Sequence, residues 1–128
     1  MKSRFGEIVK ELLRRGVTVS FRARGKSMGP TIRDGDTMVV EPLGCRPLRY
    51  GDVVLCATER GLVAHRLVGR NGDMFRIQGD APGSGSEEVS SHAVRGRMRP
   101  SRAWVSRLFR WLGPCLLAIG TAQAQMRM

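Results

Sequence analysis

The sequence predicts a mainly β domain with a short helix at each end. Three observations carry this prediction: apolar and polar residues alternate in several short runs, the chain has 16 glycines, and Asn71-Gly72 is a strong hairpin turn. Alternation with a period of two indicates strands with one buried face, and glycine permits the tight turns between them. A length of 128 residues suits one domain.

The first element is an amphipathic helix in residues 1–16. Ser3 is a suitable N-cap and Gly16 a suitable stop, and the apolar residues between them recur every three or four positions. These residues are Phe5, Ile8, Val9, Leu12 and Leu13.

The β domain is predicted to occupy residues 17–99. Its strands alternate in hydrophobicity and are separated by segments rich in Gly, Pro, Ser or Asn. We predict strands at residues 17–22, 37–41, 53–57, 62–68, 74–77 and 93–98, and loops at residues 25–36, 42–50 and 81–92.

Residues 100–128 form a basic, amphipathic tail with a predicted helix. Its arginines lie opposite an apolar face with two tryptophans, a pattern typical of a segment at a membrane interface. Three alternatives are open: peripheral membrane contact through this face, packing of the face on the β domain, or a loosely ordered segment. The face comprises Trp104, Val105, Leu108, Phe109, Trp111 and Leu112.

Charge and cysteine content narrow the class of protein. The net charge is +11, and no acidic residue follows Glu88. Such a tail favours an anionic partner, but the β region lacks the interleaved aromatic residues of a nucleic-acid surface, so nucleic acid is disfavoured. The three cysteines have no metal-ligand spacing and indicate free thiols in a reducing compartment. The sequence has no apolar N-terminal run and no stretch long enough to span a bilayer, so we expect a cytoplasmic protein. We also expect no metal and no cofactor.

Ser27 is the predicted nucleophile. A serine hydroxyl needs a base to take its proton, and lysine or histidine are the candidates. No lysine follows Lys26, whose side chain points away from that of its neighbour Ser27 in an extended chain. The sequence therefore excludes a dyad of Ser27 with a downstream lysine.

His65 is the predicted general base. It lies in an apolar strand, where burial keeps an imidazole neutral and able to accept a proton. The alternative is a purely structural histidine. His92, in a serine-rich loop, has no such setting.

A histidine base normally needs an acid that holds its tautomer. Asp80 is the predicted acid, with Glu87, next to Glu88, as the alternative. Backbone N–H groups around Ser27, in the segment of Gly25 and Met28, are the predicted oxyanion and substrate-binding groups. Gly25 and Gly29 leave room for an extended substrate, which a sheet-rich protein can bind as an added strand.

Four segments together resemble the boxes of the signal peptidase I and LexA-type repressor clan of serine peptidases, over about residues 17–98. The histidine box is similar to that of archaeal and endoplasmic-reticulum signal peptidases. The segments are Gly25-x-Ser27-Met28-x-Pro30-Thr31-Ile32-x-x-Gly35-Asp36, Tyr50-Gly51-Asp52-Val53-Val54, Ala64-His65-Arg66-Leu67-Val68 and Ile77-Gln78-Gly79-Asp80-Ala81.

The resemblance implies a coiled β-sheet or small β-barrel fold, Ser27 as nucleophile, His65 as base and a peptide or preprotein as substrate. The chain departs from the His-type enzymes, which carry an Asp beyond the last box, where this chain has residues 83–88 without one. It also lacks their N-terminal anchor and is more similar to short, anchorless bacterial relatives.

We therefore expect a serine endopeptidase. The alternative is a regulatory, weakly active member that binds peptide or cleaves itself. Ala122-Gln123-Ala124 is the candidate for self-cleavage, because it is similar to a signal-peptide cleavage site. Only about 16 residues precede the first strand, too few for the DNA-binding domain of the clan's repressors.

Overall fold

The structure, a computed structural model, describes residues 4–44 and 46–100. It contains one α-helix, seven strands and one 3-10 turn, and it confirms the predicted mainly β fold. Ser3, Cys45 and residues 101–128 of the tail, with its predicted helix and Ala122-Gln123-Ala124, lie outside the described residues. The elements are α1 (Arg4–Arg14), β1 (Val19–Arg22), β2 (Thr37–Pro42), β3 (Val53–Thr58), β4 (Gly61–Asn71), β5 (Met74–Gln78), β6 (Ser86–Ser90), the 3-10 turn Ser91–Ala93 and β7 (Val94–Met98).

The seven strands form one antiparallel sheet in the order β1-β2-β7-β3-β4-β5-β6. β1 and β6 are its two edges, so the sheet is open rather than closed into a barrel. The neighbours β3 and β7, and β2 and β7, are distant in sequence, so the sheet is not a simple series of hairpins.

Two hydrophobic clusters cover opposite faces of the sheet, and β3 contributes to both. Val53 and Leu55 belong to cluster 1, whereas Val54 and Cys56 belong to cluster 2. Successive side chains of a strand point to opposite faces, which explains why an almost continuous apolar run forms a strand buried on both sides.

Helix α1 covers part of cluster 1. Val9 and Leu13, four residues apart on one helix face, are each 4% exposed and pack into the cluster. Ion pairs lie elsewhere on the helix surface, between Lys10 and Glu7 at 2.7 Å and between Arg14 and Glu11 at 2.7 Å.

The structure differs from the sequence-based prediction in one element. Residues 81–92 were expected to be a loop, but they contain β6, which pairs with β5 along its whole length. Serine and glutamate are poor strand formers, and only Val89 is buried, so tertiary pairing forms this strand rather than propensity.

Two boundaries also shift. β1 begins at Val19 because the N–H of Val17 donates to the Leu12 carbonyl at 2.9 Å and so belongs to the end of the helix. β4 runs to Asn71, where the predicted Asn71-Gly72 turn joins it to β5. No helix in residues 4–44 and 46–100 is long and apolar enough to cross a membrane.

Candidate active site

Ser27 lies in the loop between β1 and β2, and its side chain is exposed. The Ser27 carbonyl accepts a hydrogen bond at 2.9 Å from the N–H of Ala81, a residue that follows β5. This bond fixes the backbone of the loop at Ser27. Met28, the next residue, is 5% exposed and packs into cluster 1. The loop therefore presents the serine hydroxyl to solvent while its neighbour is fixed in the core.

His65 lies in β4, opposite Val54 of β3, and is 7% exposed. Its Nε2 atom lies 3.2 Å from the Ser27 hydroxyl oxygen, at hydrogen-bond distance. The structure thus brings together the two side chains predicted as nucleophile and base, although they are 38 residues apart in the sequence.

Burial has the largest effect on the pKa of His65. It lowers this pKa below the ordinary 6.5, because the charged imidazolium loses solvation. Glu87 and, more weakly, Asp80 oppose the shift, whereas the Arg60 charge adds to it. The imidazole is therefore neutral at physiological pH, the state that accepts a proton from a hydroxyl.

Glu87 is the carboxylate beside the other nitrogen of this ring. Its Oε1 atom lies 3.9 Å from Nδ1 of His65 and accepts a hydrogen bond from Nη2 of Arg60 at 2.5 Å. Nδ1 of His65 is buried and has no hydrogen-bond partner among the described residues. Glu87 thus lies about 1 Å beyond hydrogen-bond distance from His65 and is shared with an arginine.

Asp80, the acid first predicted to support His65, is instead paired with Arg66. Two nearly parallel hydrogen bonds, of 2.9 and 2.6 Å, join the guanidinium to this carboxylate. The third nitrogen of Arg66 donates to the Gly51 carbonyl at 2.7 Å. Because Arg66 follows His65 in the strand, its side chain points to the opposite face of the sheet. Asp80 is paired with Arg66 there and not with His65.

Arg66 thereby connects three of the four sequence boxes: its own, Gly51 of the second and Asp80 of the fourth. Gly79, beside Asp80, completes the contact with the nucleophile loop. A Cβ atom at Gly79 would collide with the Ser27 carbonyl oxygen, so only glycine permits this close approach.

The backbone N–H groups predicted to bind the oxyanion differ in whether they already donate a hydrogen bond. The Gly25 N–H donates to the Asp34 carboxylate at 2.8 Å, so it is already occupied within the loop. Neither the Ser27 nor the Met28 N–H donates a hydrogen bond to another described residue. Among the described residues, these two amides therefore lack the kind of partner that occupies the Gly25 N–H.

Cys56 is the free cysteine in the described part of the chain. Burial, with a contribution from Glu87, raises the pKa of its thiol to about 12. The thiol therefore stays protonated at neutral pH and does not compete with Ser27 as a nucleophile. Within residues 4–44 and 46–100, no group of three or more His, Cys, Asp or Glu side chains is placed to hold a metal ion.

A cleft of about 1160 Å³ opens beside Ser27 and His65. It exceeds the roughly 300–1,000 Å³ typical of small-molecule sites. The cleft is lined by residues 21–25, here named the β1 wall, by residues 61–65, here named the β4 wall, and by residues 84–87. Its apolar lining includes Met28 and Leu55.

Both walls are strand edges that lack a partner in the described part of the chain. β1 is the edge of the sheet, and β4 pairs with β5 only from Arg66 onward, which leaves residues 61–65 unpaired on that side. The curled sheet brings these edges to opposite sides of one cleft.

Sequence reasoning did not identify Arg60 or Arg66 as parts of the site. Arg66 stands in the histidine box beside His65, so its position was available as a signal. Arg60 carried no such signal, because its contact with Glu87 depends on β6, the strand that the sequence did not predict.

The chain matches a known protein family over most of its length. A family model described as Peptidase S24-like matches residues 6–99. No curated protein matches the chain.

Proposed function

The chain belongs to the Peptidase S24-like family, and on that premise we propose that it is a serine endopeptidase that cleaves an extended peptide. The distance of 3.2 Å between the Ser27 hydroxyl and Nε2 of His65, at the rim of a peptide-sized cleft, carries this proposal.

In the proposed reaction, Ser27 Oγ attacks the scissile carbonyl carbon while Nε2 of His65 takes the hydroxyl proton. The tetrahedral intermediate collapses, the C–N bond breaks and His65 returns the proton to the leaving amine. A water molecule, deprotonated by His65, then attacks the ester carbonyl carbon; the C–O bond to Ser27 breaks, and His65 returns the proton to Ser27 Oγ. The N–H groups of Ser27 and Met28 stabilise the oxyanion in both halves.

Glu87 is the proposed supporting acid. Proton transfer to Nε2 requires the tautomer with a proton on Nδ1, and a carboxylate that accepts from Nδ1 stabilises both this tautomer and the imidazolium. A side-chain rotation that moves the Glu87 carboxylate by about 1 Å would bring it within hydrogen-bond distance of Nδ1 of His65. Arg60 competes for the same oxygen and therefore limits how strongly Glu87 supports the base.

The substrate is proposed to bind as a strand in the cleft. Both walls offer unpaired backbone groups, and an added strand satisfies them by main-chain hydrogen bonds. This places an extended peptide across the mouth of the Ser27–His65 pair.

The test uses a proteome-derived peptide library with cleavage read by mass spectrometry. We expect the wild-type protein to cleave it, and Ser27→Ala and His65→Ala each to lower the rate at least about a thousandfold. His92→Ala is the matched control, because this exposed histidine lies outside the cleft. Activity retained in either Ser27→Ala or His65→Ala would exclude the assignment.

One observation favours a second candidate function, a regulatory member that cleaves slowly or cleaves itself. Nδ1 of His65 has no hydrogen-bond partner among the described residues, as expected of a weakly supported base. Self-cleavage predicts a fragment in the intact mass of wild-type protein during incubation and none in Ser27→Ala. A mass that stays at full length would exclude it.

A further inference from the structure

Apolar and positively charged side chains alternate along the β1 wall of the cleft. Phe21 and Ala23 pack with cluster 1, while Arg22, between them, and Arg24, after Ala23, are exposed. All four residues line the cleft. A strand bound beside this edge has the same period of two, so its side chains also alternate between the two sides.

The two arginines carry positive charge that the described residues do not compensate. Neither Arg22 nor Arg24 forms a salt bridge there. The nearby carboxylate of Asp34 accepts from the Gly25 N–H, and that of Glu87 is paired with Arg60. An anionic side chain on this side of a bound peptide would meet two free guanidinium groups.

The β4 wall supports the same alternation on the apolar side. Leu62 and Ala64 pack against cluster 1, together with Phe21 from the other wall. A substrate side chain that points inward therefore enters an apolar recess over Met28 and Leu55.

We propose that Arg22 and Arg24 bind acidic side chains of the substrate. The preferred peptide has acidic residues at alternating positions facing these arginines, with apolar residues between them facing the core. This inference rests on the proposed function, because it assigns a substrate class to the same cleft. Arginine suits the role, since its planar guanidinium binds a carboxylate through two parallel hydrogen bonds.

The first experiment maps cleavage sites in the peptide library. We expect Asp and Glu to be enriched at alternating positions near the scissile bond for the wild-type protein. Arg22→Gln and Arg24→Gln should each lose this enrichment at one position, and Arg22→Glu should favour Lys or Arg there. Arg95→Gln, the same charge change at an exposed arginine outside the cleft, should leave the enrichment unchanged.

For a cleaved peptide, replacing the acidic residue with its amide should lower kcat/KM about five- to tenfold. The loss should appear in KM, because the contact is present in ground and transition states alike. Cleavage without acidic enrichment, or with enrichment that Arg22→Gln and Arg24→Gln leave unchanged, would overturn the inference while the proposed function stands.

The second experiment measures binding without turnover. Fluorescein-labelled (Glu-Val)5 is titrated with Ser27→Ala at physiological salt, beside (Gln-Val)5 and the block peptide (Glu)5(Val)5. We expect (Glu-Val)5 to bind at least about fivefold more tightly than either, with the difference lost when Arg22→Gln and Arg24→Gln are added.

This arm distinguishes the two failures. Binding of the alternating peptide without cleavage of any library peptide would support the surface and exclude the peptidase. Equal binding of all three peptides would overturn the inference. So would tighter binding to phosphatidylserine vesicles that depends on the same two arginines, because the surface would then serve a lipid.

Discussion

At the residue scale, the decisive group is His65, whose pKa responds to a few named charges. Burial lowers its pKa most, Glu87 raises it and Arg60 lowers it. Because the folded pKa lies below the unfolded value of 6.5, protonation favours the unfolded chain. The contribution of His65 to stability is therefore complete above about pH 6.5 and is lost as the pH falls through the folded pKa.

Two substitutions should shift this titration in opposite directions. Glu87→Gln removes an effect that raises the pKa, so the acidic limb of the kcat/KM profile should move to lower pH. Arg60→Gln removes an effect that lowers it, so the limb should move to higher pH. An NMR titration of the His65 ring measures the same shifts without substrate. Shifts in the same direction would contradict this electrostatic account.

The sequence predicted Ser27 and His65 as a pair and left Asp80 and Glu87 as alternative acids. Ser27 and His65 stand in recognisable boxes, and the structure brings them together. The choice between Asp80 and Glu87 depends on strand register. Pairing of β6 with β5 places Glu87 opposite Ile77, which in turn pairs with Leu67, two residues from His65 and on the same face.

At the scale of elements, strand prediction succeeded for β3, β4, β5 and β7 and failed for β6. The four predicted strands coincide closely with runs that each contain two or more apolar side chains. β6 has one buried apolar residue, so its sequence contains little periodicity and its conformation depends on β5. The sequence of such a strand therefore does not indicate which part of the sheet its glutamates contact.

The contact between the end of β5 and the nucleophile loop makes a specific prediction. Gly79→Ala should displace the Ser27 backbone, because the new Cβ collides with the Ser27 carbonyl oxygen. We expect a loss of about 2 kcal/mol in the free energy of unfolding and of about 100-fold in kcat. Denaturant unfolding and steady-state kinetics measure the two effects.

Gly85→Ala is the matched control for stability. No atom lies within 4 Å of a Cβ built at Gly85, and its φ is not positive. Its free energy of unfolding should stay within about 0.5 kcal/mol of the wild type. An equal loss in both variants would mean that the Ser27 contact is not the cause.

At the scale of the whole molecule, the sheet curls but remains open between β1 and the first half of β4. The resemblance of the four boxes implied a coiled sheet, and the structure confirms a mainly β fold of this kind. No local pattern predicted the opening, because it results from which strands pair rather than from the residues of any one strand. The site lies beside residues 61–65, which precede Arg66, the first residue of β4 that pairs with β5.

A bound peptide should therefore protect both walls at once. In Ser27→Ala with a cleavable peptide at about 100 times its Kd, the free energy of unfolding should rise by about 2.7 kcal/mol. Hydrogen exchange should slow at residues 21–25 and at residues 61–65 together. Exchange at residues 70–74, around the turn between β4 and β5 and outside the cleft, should be unaffected. Protection of one wall alone would contradict binding between them.

The unpaired edge of β1 also bears on how copies of this protein behave towards one another. An exposed strand edge invites pairing with the same edge of a second molecule, a common route to aggregation. Such a pairing would bring Arg22 and Arg24 of one copy towards those of the other, and like charges opposed across strands are destabilising. The two arginines thus disfavour pairing of two copies through this edge and leave it available to the proposed substrate.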